Sequence, residues 1–226
     1  MVTNAPVIAL PLTLAERDQA PDILRVKATY GEYLDFAEVC PYNVEYFNGE
    51  IVSLNEVDSV NGEIISMGQA SLPHESLVMR LGTIFNNLFD EDEAIQVFSS
   101  NIKIEVLATG DSFNADVSIV RGEPNYLRLP SGMLSTVSIT NPEVVVEVLS
   151  NSTMAYDLGD KLESYKQVPD LKQILFVSQH KPWVISYRRT ETPGVWLNTS
   201  FHALTESMQV LDKDVPLGSI YKKVKF

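Results

Sequence analysis

Glu147 stands in a setting that demands a chemical explanation. It follows three consecutive valines and precedes Val148 and Leu149. Such an aliphatic run is typical of a strand that is buried on both faces of a sheet, where a carboxylate is costly unless it has a partner. An ion pair with a lysine or arginine would provide one, and so would a bound metal ion. The strand by itself leaves both explanations open.

Asp157, Lys161 and Tyr165 follow that strand at intervals of four residues. This spacing predicts that they lie along one face of a helix. We expect Asp157 to cap the start of the helix and Asp160 to occupy the matching third position. A helix that folds back over the strand would bring Lys161 close to Glu147. A solvated lysine and a core tyrosine are the structural alternatives.

Asp116 supplies a second acid, near the start of a predicted strand over residues 113–120. If this strand neighbours that of Glu147, two carboxylates and one lysine come together. Carboxylates hold Mg²⁺, and an amine beside them helps to activate or orient a water molecule. The three residue types therefore point to metal-assisted hydrolysis.

These residues belong to a longer series that resembles the Uma2 family, also called DUF820. The series consists of Asn114-Ala115-Asp116-Val117, Asn141-Pro142, residues 146–150, Ser152-Thr153, Tyr156-Asp157, Lys161 and Tyr165. The family is abundant in cyanobacteria and is placed in the PD-(D/E)XK nuclease superfamily. The resemblance implies a restriction-endonuclease-like fold, in which a central mixed sheet flanked by helices carries the acids.

The resemblance also implies roles for individual residues. Asp116 and Glu147, with the Val148 carbonyl, would bind Mg²⁺ or Mn²⁺. Lys161 would orient or deprotonate the attacking water, while Asp157 and Tyr165 would position Lys161. The superfamily motif places its lysine two residues after the acid, where this chain has leucine. Members of the Uma2 type are similar in carrying the lysine on the following helix, and the role therefore falls to Lys161. A further departure is an alanine before Asp116, where the motif has proline.

Two similar stretches, residues 44–54 and 57–67, each place Asn-Gly between short apolar strands. Asn-Gly is a strong signal for a tight hairpin, so we expect a small antiparallel meander. The family has one such segment, an acidic residue followed by Gly-Glu, ahead of a histidine that His74 matches. The first stretch fits the family better in sequence and the second in distance to His74. Both Glu50 and Glu63 are therefore candidates for a supporting position.

His74 opens an amphipathic helix predicted over residues 73–89, where leucines and other apolar residues recur every three or four positions. At a helix start it would either hydrogen-bond free backbone amides or support the metal site. Glu75, beside it, fits the positive end of the helix dipole better than a ligand role.

The remaining pattern predicts one mixed α/β (α+β) domain over residues 41–226, preceded by an extension over residues 1–40 with helical stretches between residues 13 and 39. Strands are expected at 94–98, 101–106 and 173–178, and a hairpin is expected from 183–188 and 195–201. The stretch 123–140 is rich in Pro, Gly and Ser, which predicts a long surface loop that could act as a flap.

The composition is that of an ordinary globular protein, with 45% hydrophobic and 21% charged residues and a mean hydropathy close to zero. No run of apolar residues is long enough for a membrane span, and the single Cys40 cannot form an internal disulfide. We therefore expect a cytoplasmic protein without a membrane partner.

The formal net charge of −13 argues against a surface that grips many phosphates. Two functions consequently remain in competition. One is a metal-dependent endonuclease acting on nucleic acid, with DNA favoured over RNA. The other is an inactive nuclease-like scaffold that mediates protein interaction or homodimerisation. The presence of Asp116, Glu147 and Lys161 together favours the enzyme.

Overall fold

The structure is a computed structural model that describes residues 10–21, 23–37, 40, 42–54, 56–60, 63–67, 72–100, 102–129, 132–150 and 154–226. For residues 14, 18, 54, 56–60 and 63–67, it describes the backbone alone. The expected Asn-Gly turn at residues 61–62 and the family residues Ser152 and Thr153 lie outside the described residues.

In the described part of the chain, the β structure consists of two large mixed sheets and two hairpins. In spatial order, the seven-stranded sheet consists of β1 (Ile23–Lys27), β3 (Glu50–Leu54), β2 (Glu45–Phe47), β8 (Asp111–Asn114), β7 (Lys103–Val106), β11 (Leu134–Ile139) and β10 (Tyr126–Arg128). The six-stranded sheet consists of β15 (Trp196–Phe201), β14 (Val184–Arg189), β13 (Gln173–Ser178), β12 (Val144–Leu149), β9 (Val117–Arg121) and β6 (Ile95–Ser99). The hairpins are β4 (Glu56–Val60) with β5 (Glu63–Met67) and β16 (Ser207–Val210) with β17 (Lys213–Pro216).

Helices in the described ranges are few and mostly short. They are α1 (Leu14–Asp18), α2 (Tyr30–Ala37), α3 (Leu72–Leu88), α4 (Met154–Tyr156), a π-helical turn (Asp157–Lys161), α5 (Leu162–Tyr165) and α6 (Leu217–Ile220). α4, the π turn and α5 follow one another without a break and act as one helix. Among the described residues, no helix has the length and apolar composition needed to cross a membrane.

Strand β12 lies inside the six-stranded sheet and is buried at all six positions. It runs parallel to β13, with Glu147 opposite Phe176, and antiparallel to β9, with Val146 opposite Val117. The prediction of a strand buried on both faces is therefore confirmed, and Asp116 immediately precedes the neighbouring strand, as expected.

Separate apolar cores cover the two faces of this sheet. One face packs against α3 through Leu77, Leu81 and Phe85. The other face lies over the α4–α5 helix and the seven-stranded sheet, and Tyr165 is fully buried there. The six-stranded sheet thus has a helix on one face and a helix with a second sheet on the other. This arrangement confirms the predicted mixed α+β architecture.

The N-terminal extension packs on the far side of the seven-stranded sheet, where Leu10, Tyr33 and Phe36 join Ile51. It is not helical throughout, because β1 pairs along its length with β3. That pairing is a long-range contact, which a local helical pattern does not reveal. The domain boundary at residue 40 stays a prediction.

The expected meander over residues 44–67 forms two hairpins in separate sheets. In the first hairpin Asn48 and Gly49 both adopt positive φ, 49° and 77°, as an Asn-Gly turn requires. The second hairpin pairs only with itself among the described strands, because β3 takes β1 as its other neighbour.

The expectation of a surface loop over residues 123–140 is wrong. This stretch contains β10 and β11, and β11 pairs in parallel with β7 through Ser138 and Ile139. The strand is thus created by a partner distant in sequence, which outweighs the local abundance of turn residues. The flap that this loop was expected to form is therefore also not supported.

Candidate active site

Asp116 lies at a break between two strands that belong to different sheets. The predicted single strand over residues 113–120 is in fact β8, in the seven-stranded sheet, and β9, in the six-stranded sheet. Because the chain changes sheets here, the Asp116 side chain turns towards β12, where the Val148 N–H donates a 2.7 Å hydrogen bond to its Oδ2. The His74 Nε2 lies 3.3 Å from the same oxygen. Both of these contacts favour an ionised carboxylate.

Glu147 projects from β12 towards the α4–α5 helix and is only 3% exposed. Its Oε1 accepts a 2.7 Å hydrogen bond from the Tyr165 hydroxyl and lies 3.0 Å from the Lys161 Nζ. The question raised by the sequence, of how a buried strand tolerates an acid, is thus answered in part by an ion pair. Tyr165 and Lys161 both reach Glu147, as the helical spacing predicted.

Lys161 is a fully enclosed cation rather than a surface lysine. Its side chain is 3% exposed, and its Nζ lies 3.0 Å from Glu45 and 3.9 Å from Asp157 as well as close to Glu147. It also donates a 3.0 Å hydrogen bond to the Asn114 carbonyl, two residues before Asp116. The lysine therefore ties the helix to both sheets at the point where the two acids approach each other.

Asp157 and Lys161 lie within a π-helical turn rather than in a regular α-helix. Met154–Tyr156, before Asp157, are already helical, and the Leu162 N–H bonds the Asp157 carbonyl, five residues back. Asp157 is consequently not the N-cap that the sequence suggested, nor is Asp160 its third-position partner. Wider turns of this kind occur often at functional sites, because they change which side chains share a face. Here the turn buries both Asp157 and Lys161.

Glu45 is the residue of this cluster that the sequence analysis missed. It is 5% exposed, and its Oε1 contacts both Lys161 and the Asn114 N–H, at 3.0 and 2.8 Å. Its Oε2 accepts a 3.0 Å hydrogen bond from the Tyr156 hydroxyl. Glu45 stands between Val44 and Tyr46, so the argument that singled out Glu147, an acid inside a short apolar strand, applies to it as well.

The electrostatics of the cluster follow from burial and mutual charge. Burial, reinforced by Asp116 and other nearby acids, raises the pKa of Glu147 well above its ordinary value, although Lys161 opposes this. Burial opposes a charged lysine, but Glu147, Glu45 and Asp157 outweigh it and raise the pKa of Lys161 well above its usual range. For Asp116, burial is outweighed by His74 and by the Val148 N–H, so its pKa falls below the ordinary value.

The donor set fits a hard divalent cation of the Mg²⁺ type. Asp116 accepts hydrogen bonds at Oδ2, and Glu147 accepts one at Oε1. Within the described chain, no hydrogen bond reaches Asp116 Oδ1 or Glu147 Oε2. The Val148 N–H points to Asp116, and in a strand the carbonyl of a residue points to the same side as its N–H. No group of three or more His, Cys, Asp or Glu side chains suited to a metal occurs among the described residues. Two carboxylates, one carbonyl and several waters match Mg²⁺, which keeps much of its hydration.

Of the two candidates for the supporting glutamate, only Glu50 has a described side chain. Glu50 sits 3.7 Å from Arg25, which in turn pairs with Asp160 at 3.1 Å on the outer face of the helix. The side chain of Glu63 lies outside the described residues. His74 does contact Asp116, so of the predicted supporting residues His74, Asp157 and Tyr165 are brought to the site.

Comparison with known proteins agrees with this architecture. The Synechocystis sp. uncharacterized protein slr1290 is 33% identical over 172 residues, covering 76% of this chain and 79% of that protein. A second, sll1609, is 27% identical over 151 residues, covering 67% and 75%. An Anabaena variabilis crystal structure, described as a putative nuclease belonging to DUF820, superposes with a TM-score of 0.59 over 85% of this chain and 97% of that one. At 14% identity this likeness shows the shared fold. Residues 30–213 match the model of the family Uma2, described as "Putative restriction endonuclease", and the chain belongs to that family.

Proposed function

We propose that this protein is a divalent-metal-dependent endonuclease that hydrolyses phosphodiester bonds in nucleic acid, with DNA as the favoured substrate. The observation that carries the proposal is the convergence of Asp116, Glu147 and the buried Lys161 where two sheets and one helix meet. The description of the Uma2 family supports the same class of reaction.

Asp116 and Glu147 are the residues that would hold Mg²⁺ or Mn²⁺, through the oxygens that accept no described hydrogen bond, with the Val148 carbonyl as a third ligand. When bound, the ion supplies a Lewis acid at the phosphoryl oxygens and lowers the pKa of a coordinated water. His74 and the Val148 N–H hold the other Asp116 oxygen, which fixes the orientation of the carboxylate.

Lys161 provides a fixed positive charge beside the acids. Its pKa is raised by Glu147, Glu45 and Asp157, so it remains protonated and acts as a hydrogen-bond donor rather than as a base. A positive charge placed there stabilises negative charge that develops on the phosphate. Tyr165, through Glu147, and Glu45 position the Lys161 ammonium group.

Cleavage assays with plasmid, single-stranded DNA and RNA test this function. We expect the wild type to cut at least one of these in Mg²⁺ or Mn²⁺ and to lose the activity in EDTA. Asp116→Asn and Glu147→Gln should each abolish cutting. Asp90→Asn, the same change at an exposed position at the end of α3, should leave it intact.

The competing function is an inactive scaffold for protein interaction. Metal binding by the wild type without cleavage of any of these nucleic acids would favour it over the enzyme. Cleavage that survives Asp116→Asn would contradict the assignment of Asp116 to the active site. A homodimer, which either function permits, is a further prediction that sedimentation equilibrium can measure.

A further inference from the structure

One end of the six-stranded sheet, where β13 turns into β14 near the site, carries an unusual concentration of lysine. The segments that meet there are residues 178–184, 201–206 and 221–226, which contain four of the chain's 17 basic residues and one of its 30 acidic residues. The lysines are Lys181, Lys222, Lys223 and Lys225, and all four are exposed. In a chain with a net charge of −13, this is a local reversal of sign.

Backbone pairing determines how far this end of the sheet lies from Glu147. Ser178 lies opposite Leu149, and the Gln179 N–H approaches the Leu149 carbonyl at 3.4 Å. Leu149 is two residues beyond Glu147, so the spacing of strands and residues puts the start of the 178–183 turn roughly 8 Å from Glu147. That distance equals about two or three phosphates along one strand of duplex DNA.

The C-terminal residues are anchored to the same turn. The Tyr221 hydroxyl donates a 2.8 Å hydrogen bond to the Trp183 carbonyl and accepts one of 3.2 Å from the Trp183 N–H. Trp183 stacks on His202 with a centroid distance of 6.3 Å, and the Lys181 Nζ lies 4.9 Å from the centre of its ring. The lysines that follow Tyr221 are therefore attached to the turn that carries Lys181.

The acid in these segments does little to offset this charge. The Glu206 carboxylate accepts the His202 and Ala203 N–H groups, at 2.7 and 2.6 Å, and these bonds lower its pKa. The carboxylate is therefore hydrogen-bonded to the backbone of its own loop, and no described ion pair joins it to a lysine at this end of the sheet. The four ammonium groups are thus available to an external anion.

We infer that Lys181, Lys222, Lys223 and Lys225 form a track for the phosphate backbone of the nucleic acid whose scissile bond lies at Asp116 and Glu147. The inference rests on the proposed function, since it takes the substrate from there. A nucleic-acid strand fits better than an anionic membrane because the track lies at the same end of the sheet as the carboxylates of the proposed endonuclease site. It also resolves the objection from net charge, because phosphate binding needs basic residues only along the path of the strand.

The test compares two triple variants that remove the same charge. The track variant, Lys222→Gln/Lys223→Gln/Lys225→Gln, removes three of the four lysines of the track. Lys27→Gln/Arg128→Gln/Lys213→Gln serves as the control. Lys27 and Arg128 lie on the outer strands of the seven-stranded sheet. Lys213 lies on the separate β16–β17 hairpin, whose Leu211 N–H donates a hydrogen bond to the Gln173 side chain at the start of β13, the end of that strand opposite Ser178.

Binding of a labelled oligonucleotide is measured against salt concentration in EDTA, so that cleavage plays no part. We expect the track variant to lose roughly 10- to 100-fold in affinity near 0.1 M salt, and the slope of log affinity against log salt to fall by about 2 to 3. Lys181→Gln should add to the loss. The control should bind as the wild type does.

Equal losses in the two triple variants would show that only net charge matters and would overturn the inference. Stronger binding to phosphatidylserine vesicles than to the oligonucleotide would also overturn it, in favour of a membrane. The outcome is separable from catalysis. Unchanged binding with normal cleavage would refute the track alone, whereas a reduced slope without cleavage by the wild type would refute the endonuclease alone.

Discussion

Replacing Lys161 with methionine probes the charge balance at the site most sharply. Methionine keeps much of the length of the side chain and removes the ammonium group that lies 3.0 Å from both Glu147 and Glu45. Those carboxylates are 5% and 6% exposed, so water cannot replace the lysine. The folded protein must then either keep uncompensated charges or take up a proton.

Proton uptake sets the scale of the loss. The ordinary pKa of a glutamate is 4.5, so protonating one at pH 7 costs about 3.4 kcal/mol, and at pH 5 about 0.7 kcal/mol. Removing one partner of a buried ion pair typically costs about 3–5 kcal/mol. We therefore expect Lys161→Met to lower the free energy of unfolding by roughly 3–5 kcal/mol at pH 7 and by roughly 1 kcal/mol at pH 5.

The sign of the pH dependence follows from Glu147. Burial raises its folded-state pKa, so its contribution to stability is complete below about pH 4.5 and is lost as the pH rises. Lys161 opposes that shift in the wild type. Without Lys161 the shift grows, and the variant loses stability more steeply with rising pH.

Urea unfolding in EDTA at pH 5 and pH 7 measures both quantities. Lys166→Met is the matched control, because Lys166 pairs with the exposed Glu163 one turn further along and should contribute less than about 1 kcal/mol. A loss at Lys161 below 1 kcal/mol, or one equal at the two pH values, would refute the account of Lys161 as the counter-ion of buried acids.

Three further predictions concern positioning and burial. Glu45→Gln keeps the size of the side chain but replaces one acceptor oxygen with an NH₂ group and removes a charge that holds Lys161, so kcat for cleavage should fall roughly 10- to 100-fold with KM unchanged in steady-state assays. Inserting one alanine after Gly159 should rotate the half of the helix that carries Lys161 and Tyr165 by about 100° relative to the half before it, abolishing cleavage. Gly159→Ala, which meets no atom within 4 Å, should retain activity. Glu105 is buried and its pKa is raised, so Glu105→Gln should gain stability over the wild type above pH 4.5, by at most about 1.4 kcal/mol per pH unit in urea unfolding.

The parts of the site that the sequence predicted correctly are those encoded locally. The aliphatic run around Glu147 specifies a buried strand without reference to the rest of the chain. The spacing of Lys161 and Tyr165 likewise specifies a shared helical face. Both predictions survive because the buried strand and the helix form next to each other in sequence.

What the sequence did not reveal depends on contacts between distant segments. Residues 134–139 become a strand because they pair with β7. The chain breaks between β8 and β9 because these strands belong to different sheets. The π turn is a similar case, since the spacing of Asp157 and Lys161 is equally compatible with a regular helix. Glu45 was missed although its position in a short apolar strand carried the same signal as Glu147.

Anomalous diffraction from crystals soaked in Mn²⁺ tests the central claim most directly. The account predicts one strong peak within bonding distance of Asp116 Oδ1, Glu147 Oε2 and the Val148 carbonyl, and no such peak in Asp116→Asn crystals. A peak that lies beyond bonding distance of these oxygens, or one that persists unchanged in Asp116→Asn crystals, would contradict it.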